Sequence, residues 1–227
     1  MVKAGTELLT PTEWQTLEAS GARRNYRAGT VLFRENDPGG FVLAVHSGRV
    51  KVFVSTPAGR EVVLAIKVPG DLLGELSAID GRPRSATAVA IEPMQAVVVT
   101  SEVFDRFIET HPRLAVRVLK TLAIQLRDTS HWTVEHQETD VPTRVARRVL
   151  YIAERFGEHQ GCGVKISFAL SQDDLAGWVG ASREATSRAL GQLRNLGLVT
   201  TARLRIAVPE LAALRSYCTV AEVTVRS

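Results

Sequence analysis

Residues 170–199 near the end of the chain, LSQDDLAGWVGASREATSRALGQLRNLGLV, constrain the fold more tightly than any other stretch. Ser171 followed three positions later by Asp174 has the form of a capping box and predicts a helix from Gln172. Leu175, Ala176 and Val179 would bury one face of that helix, and Gly180 permits a tight left-handed turn. Ser182 is a good N-cap for a second helix, Arg183 to about Leu196. Thr186, Ala189, Leu190 and Leu193 would form its buried face, and Gly197 ends it. A small alanine four residues before a turn glycine, then a second helix with apolar spacing, meets the needs of a helix-turn-helix. Its helices cross closely and its chain turns within about three residues.

The polar residues left over decide what such a unit can touch. Ser182, Arg183, Glu184, Ser187 and Arg188 occupy the start of the second helix. In the major groove of DNA, arginine pairs bidentately with guanine and glutamate accepts from cytosine N4. Glu184 and Arg188 are also spaced i,i+4, so a plain surface ion pair of ~0.3–0.5 kcal/mol is the alternative reading. After Gly197, LVTTARLRIAV reads as a two-stranded wing that offers Thr200, Thr201, Arg203 and Arg205 to phosphates. Charge agrees: residues 1–140 carry 16 basic and 17 acidic side chains, residues 141–227 carry 12 and 7. A basic C-terminal third on a near-neutral body suits a module that binds a polyanion such as double-stranded DNA; a solvated basic surface with no partner would give the same count.

The first hundred residues are built differently. Gly29, Gly39/Gly40, Gly48, Gly59, Gly70 and Gly81 punctuate short runs rich in Val, Ile, Leu and Phe, such as FVLAVHSG and EVVLAIKV. Such spacing predicts an antiparallel β-sandwich or barrel. A short helix, EVFDRFIET, stops at His111-Pro112, where proline forbids continuation. A long helix then runs from about Arg113 to Gln137. Ala115, Leu119, Leu122, Leu126, Thr129, Thr133 and His136 alternate gaps of four and three along it, a heptad seam that predicts a parallel homodimer through about residues 113–137. Leu114 and Val118 lie off the seam and would face the β-domain. Asp140-Val141-Pro142 breaks the helix, and TRVARRVLYIAERFG, closed by Gly157, begins the last domain, with a short strand VKISF beyond it.

With that organisation in view, the chain resembles the cyclic AMP receptor protein and fumarate–nitrate regulator family of bacterial transcription factors, over about residues 20–210 and in the same domain order. Gly74-Glu75-Leu76 followed by Arg84-Ser85-Ala86-Thr87 looks like its phosphate-binding cassette. Asp140 to Ala146 is similar to its hinge, and Ser182-Arg183-Glu184 with Arg188 to its recognition helix for TGTGA-type half-sites. The resemblance implies an α+β fold: an antiparallel β-roll for cyclic nucleotides (1–112), a dimerisation helix and hinge (113–139) and a winged helix-turn-helix (140–227).

It implies cyclic AMP as allosteric ligand. Arg84 would pair with the phosphate, Ser85 and nearby amides would complete the cradle, and Glu75 would accept from the ribose 2′-hydroxyl. Thr129 and Ser130 stand where the family reaches the base from both subunits, and Val52, Leu64 and Leu73 would line the pocket. RNA polymerase is the implied protein partner. Two departures stand out: the Glu75–Arg84 loop is one residue shorter than in the best-known enterobacterial receptor, and Gln125 replaces an expected basic residue. A mutual Glu75–Arg84 ion pair is the plainer alternative.

Other chemistries find little support. Two distant cysteines, Cys162 and Cys218, give neither a disulfide framework nor the roughly four ligands of an iron–sulfur cluster. Among His46, His111, His131, His136 and His159 no pair marks a haem, and no metal spacing occurs. Asp173-Asp174, the only adjacent acidic pair, is explained by helix capping, so no catalytic centre is expected. No apolar run approaches the 18 or so residues of a membrane span, and the expected location is the cytoplasm.

Overall fold

The computed structural model describes residues 8–225 other than 167 and 169, and side chains throughout these except at 131, 133–138 and 220–225. Among the described residues two compact units result, one of 8–58 and 63–126, the other of 127–225 together with 59–62.

The first unit contains α1 (Pro11–Ser20), β1 (Ala22–Tyr26), β2 (Val31–Phe33), β3 (Phe41–Ser47), β4 (Val50–Ser55), β5 (Glu61–Lys67), β6 (Leu72–Leu73), α2 (Glu75–Asp80), β7 (Thr87–Ala90), β8 (Met94–Thr100) and α3 (Ser101–Thr110), followed by the first part of α4 (Pro112–Glu138). Its strands form two four-stranded sheets, β1-β8-β3-β6 and β2-β7-β4-β5. The β1–β8, β3–β8, β3–β6, β2–β7 and β4–β7 pairings are all antiparallel. This is the roll that the glycine punctuation predicts. Successive side chains of a strand point to opposite faces, so a strand covered on both reads as an unbroken apolar run. In β3, Val42 and Ala44 pack with Leu17, Phe104, Phe107 and Leu114 of the helices. Leu43 and Val45 pack with Val50, Leu73 and Ala88 inside the roll.

Helix α4 turns part of the predicted seam onto its own sheet, the use of the stripe that stands beside dimer pairing. Leu114 and Val118 are buried on the sheet as expected, but Leu122, placed on the seam by the heptad count, packs beside them. Positions 114, 118 and 122 follow the i,i+4 row of a helix, which keeps them over one core. The apolar face turned outward is Val116, Leu119, Ala123 and Leu126, with Leu119 and Leu126 65% and 69% exposed. Thr133 and His136 lie outside the described side chains.

Helix α1 was not anticipated, although its signal is visible: Thr10 and Glu13 form a capping box. The Glu13 carboxylate also pairs with Arg117 of α4, whose Nε donates to the Leu8 carbonyl at 2.6 Å. Burial pushes the Glu13 carboxyl up, but the Thr10 amide and Arg117 outweigh it and hold its pKa below the ordinary 4.5. Glu13→Ala is expected to cost ~1–3 kcal/mol by leaving Arg117 without its carboxylate. Because the folded-state pKa is depressed, this stabilisation is present above pH 4.5 and fades as pH falls through the folded value. Melting curves of both proteins should therefore differ at pH 7 and converge in acid.

The second unit contains α5 (Val141–Phe156), β9 (Gly157–Gln160), β10 (Gly163–Ile166), α6 (Gln172–Val179), α7 (Arg183–Asn195), β11 (Thr200–Ala202), β12 (Arg205–Val208) and α8 (Leu211–Val225). Asp140 caps α5 by accepting from the Thr143 amide at 2.9 Å. Gly157 closes it in extended conformation. What requires glycine there is close approach, since a Cβ would lie 2.0 Å from a Val164 methyl carbon. The expected two-stranded wing is half of a four-stranded sheet, β11-β12-β10-β9. Helix α8 is a further element that sequence reasoning left unassigned. Arg148 of α5 is buried between rings, its guanidinium carbon 3.5 Å from the Trp132 ring centre and 4.6 Å from that of Trp178.

Candidate functional site

The helix-turn-helix forms from the local signals. Ser171 and Asp174 cap α6 reciprocally, with the Asp174 amide donating to the Ser171 hydroxyl at 2.9 Å. Gly180 takes a φ of 61° in the turn, and Ser182 accepts from the Ala185 amide at 3.1 Å to start α7. Thr186, Ala189, Leu190 and Leu193 are buried. Burying that face leaves Ser182, Arg183, Glu184, Ser187 and Arg188 exposed. Glu184 and Arg188 do not meet as an ion pair among the described residues; Arg183 instead lies 3.4 Å from Asp173, both side chains about two-thirds exposed. Hydrogen bonds from its own backbone amide and from Ser182, with the fields of Arg183 and Arg188, hold the Glu184 carboxyl below its usual range. It is therefore an anionic acceptor at neutral pH. On the wing, Thr200, Arg203 and Arg205 are exposed, while half-buried Thr201 accepts from Arg194 at 3.1 Å. Arg194 is a basic residue of this surface that sequence reasoning missed.

In the first unit the cassette is organised around Gly74, whose φ of 81° turns the chain between β6 and α2. Arg84, 2% exposed, points inward. Its Nη1 donates to the Gly74 carbonyl at 3.0 Å and its Nη2 to the Phe41 carbonyl at 2.7 Å. The guanidinium carbon sits 4.5 Å from the ring centres of both Phe33 and Phe41. Its backbone is pinned on both sides, Asn36 N–H to Arg84 O and Arg84 N–H to Asp37 O, each 2.9 Å. Phe33, Phe41 and the 36–37 loop are distant in sequence and carried no signal of this role. The Arg84 Nε is buried without a partner, and no carboxylate pairs with the guanidinium among the described residues. Burial pulls its pKa below the ordinary arginine value, against the fields of Glu75 and Asp37.

The alternative of a Glu75–Arg84 ion pair is not what forms. Glu75 pairs instead with Lys67 at 3.6 Å. Ser85 is exposed next to Arg84, Leu73 is buried in the roll, and Val52 packs half-buried beside it. Leu64 and Leu76 are 51% and 40% exposed. Arg84 thus brings the 84–85 pair to the 74–75 pair through the Gly74 carbonyl, while Thr129 and Ser130 are exposed on α4 in the second unit. Gly74→Ala is expected to lower stability by ~1–2 kcal/mol through its left-handed backbone. It should also displace Arg84, because the new Cβ would stand 2.2 Å from Nη1. Thermal denaturation of the variant checks the first effect, and a crystal structure the second.

Residues 23–111 match the cyclic nucleotide-binding domain family and residues 143–217 the Crp-like helix-turn-helix domain. The chain is 35% identical to the CRP-like cAMP-activated global transcriptional regulator of Mycobacterium tuberculosis over 77% of its own length and 78% of the relative's. It is 32% identical to the Cyclic AMP receptor protein of Thermus thermophilus over 91% and 92%. Among solved structures, the c-di-GMP responsive global regulator CLP of Xanthomonas campestris shares its fold, with a TM-score of 0.77 at 24% identity over 88% of this chain and 99% of that one.

Proposed function

Because the chain belongs to the cyclic AMP receptor protein and fumarate–nitrate regulator family of bacterial transcription regulators, we propose that it is a homodimer that binds cyclic AMP in the roll and a pseudo-palindromic TGTGA-type site with its recognition helices. One observation carries the ligand reading. Arg84 is a fully buried cation with no carboxylate partner among the described residues and with its Nε unbonded. A buried charge is costly unless compensated, and a cyclic phosphodiester would supply the missing anion. Arg84 would hold the phosphate with Ser85, Glu75 the ribose hydroxyl, and Thr129 and Ser130 the base.

The outward stripe Val116, Leu119 and Leu126 of α4 supports pairing with a second copy. A two-fold through that helix would set two copies of α7 about 34 Å apart, one DNA turn. Arg183, Glu184 and Arg188 would read bases, while Ser182, Ser187, Thr200, Thr201, Arg203 and Arg205 position the backbone. RNA polymerase is the inferred partner of the bound dimer, and the cytoplasm its place of action. Among the described residues no helix is long and apolar enough to cross a membrane.

A second reading has an observation of its own. Arg84 already donates to two carbonyls, which is the arrangement expected of a regulator with a different ligand or none. Titrating a mobility shift on a TGTGA palindrome separates the two. Tighter binding with added cyclic AMP supports the first; unchanged affinity up to millimolar nucleotide leaves only the second.

A further inference from the structure

Lys67 and Glu75 form a buried ion pair, each side chain only 10% exposed, with Nζ 3.6 Å from Oε1. The pocket around them is closed by Leu72 of β6 and by Val118, Thr121 and Leu122 of α4. What α4 brings there is uncharged, so the cation that compensates Glu75 comes from the end of β5. A carboxylate in such surroundings keeps its charge, and a fixed direction, only if a cation holds it. Oε1 is turned to Lys67, while Oε2 accepts no hydrogen bond from the described residues.

Resting on the cyclic nucleotide reading above, we propose that Lys67 is the positioning residue that holds Glu75 as an anionic acceptor and so gives the pocket its preference for a ligand with a free ribose hydroxyl. With Lys67 in place, Oε2 can only accept, which suits a hydroxyl donor. Without it, the carboxylate loses the partner that fixes its direction and swings toward water, and the hydroxyl is no longer read. The preference for a ribose over a deoxyribose ligand is therefore set within the roll, by a strand residue rather than by a basic residue of α4.

The test is calorimetric titration of the full-length protein with cyclic AMP and with 2′-deoxy cyclic AMP. The wild type should favour the ribose form by at least about tenfold, since a site built to bond a hydroxyl rejects the analogue that lacks it. Lys67→Met should bring the two affinities within about threefold of each other, and Lys67→Arg should restore the preference. A merely structural role would weaken both ligands alike and leave the ratio intact. Should Lys67→Met fail to fold, Lys67→Gln fills the same space with a neutral donor and is expected to lose the ratio as well. A full preference retained in either neutral variant overturns the proposal. Equal wild-type affinity for both nucleotides overturns it while leaving cyclic AMP control standing; a wild type that binds neither overturns both.

Discussion

Arg84→Leu is expected to abolish the effect of cyclic AMP on DNA binding and to weaken nucleotide binding by ~2–5 kcal/mol, the range for losing one partner of a buried charge pair. The consequences for folding nearly cancel. Losing the guanidinium leaves the Gly74 and Phe41 carbonyls without their donor, which costs ~1–3 kcal/mol apiece at most. Against that, leucine fills the slot between Phe33 and Phe41 with apolar surface and removes a buried cation that has no carboxylate. The variant should therefore melt within a few degrees of the wild type and still bind its DNA site at the unliganded level. Calorimetry shows the outcome directly: unchanged nucleotide affinity in the folded variant would mean that Arg84 does not hold the phosphate. Arg84→Lys would be no substitute, because a point charge cannot reproduce a planar donor bonded at two nitrogens and stacked on both faces.

The second large effect is expected at the DNA surface. Arg183→Ala should cost ~1–3 kcal/mol at a TGTGA-type site and relax preference at one guanine. The 3.4 Å contact with Asp173 does not change this expectation, because both side chains are about two-thirds exposed and such surface pairs are worth little. Arg183 can leave Asp173 for a base edge, and Asp173→Asn should leave affinity for the site nearly unaltered. Competition assays against single-base variants of the palindrome, at one stated salt concentration, give the measurement. An equal loss on random DNA would show that Arg183 touches only phosphate.

How far each feature was legible depended on the range of the interaction behind it. The helix-turn-helix is specified by short-range chemistry: a capping box at Ser171 and Asp174, a left-handed glycine at 180, a serine cap at 182 and an apolar row on α7. Each needs only its own neighbours, and each forms in place. The roll was legible as a class because glycine turns and apolar runs repeat, but β3 could not be assigned faces from its sequence, being apolar on both. That Leu122 of the α4 seam packs on the sheet was undecided in the sequence for a related reason. The spacings of a heptad and of an i,i+4 row overlap, and only the sheet beneath Leu114 and Val118 decides which row is buried.

The cassette divides in the same way. Gly74, Glu75, Arg84 and Ser85 could be singled out along the chain, and the left-handed turn at Gly74 is local. That Arg84 would lie between Phe33 and Phe41, with its backbone tied to Asn36 and Asp37, depends on bringing β2, β3 and the loop between them against the segment that precedes β7. That Glu75 would meet Lys67 and not Arg84 depends on the fold bringing the end of β5 to the start of α2.

The helix-turn-helix was the most constraining feature of the sequence, and by itself the sequence determined that motif, its exposed Arg183, Glu184 and Arg188, and the chemical types gathered in the cassette. Only the tertiary structure decided the partners of the buried charges. Caps and turns are closed by residues within a few positions of one another. A buried arginine or glutamate finds its counterpart only across the fold, where desolvation makes that choice decisive.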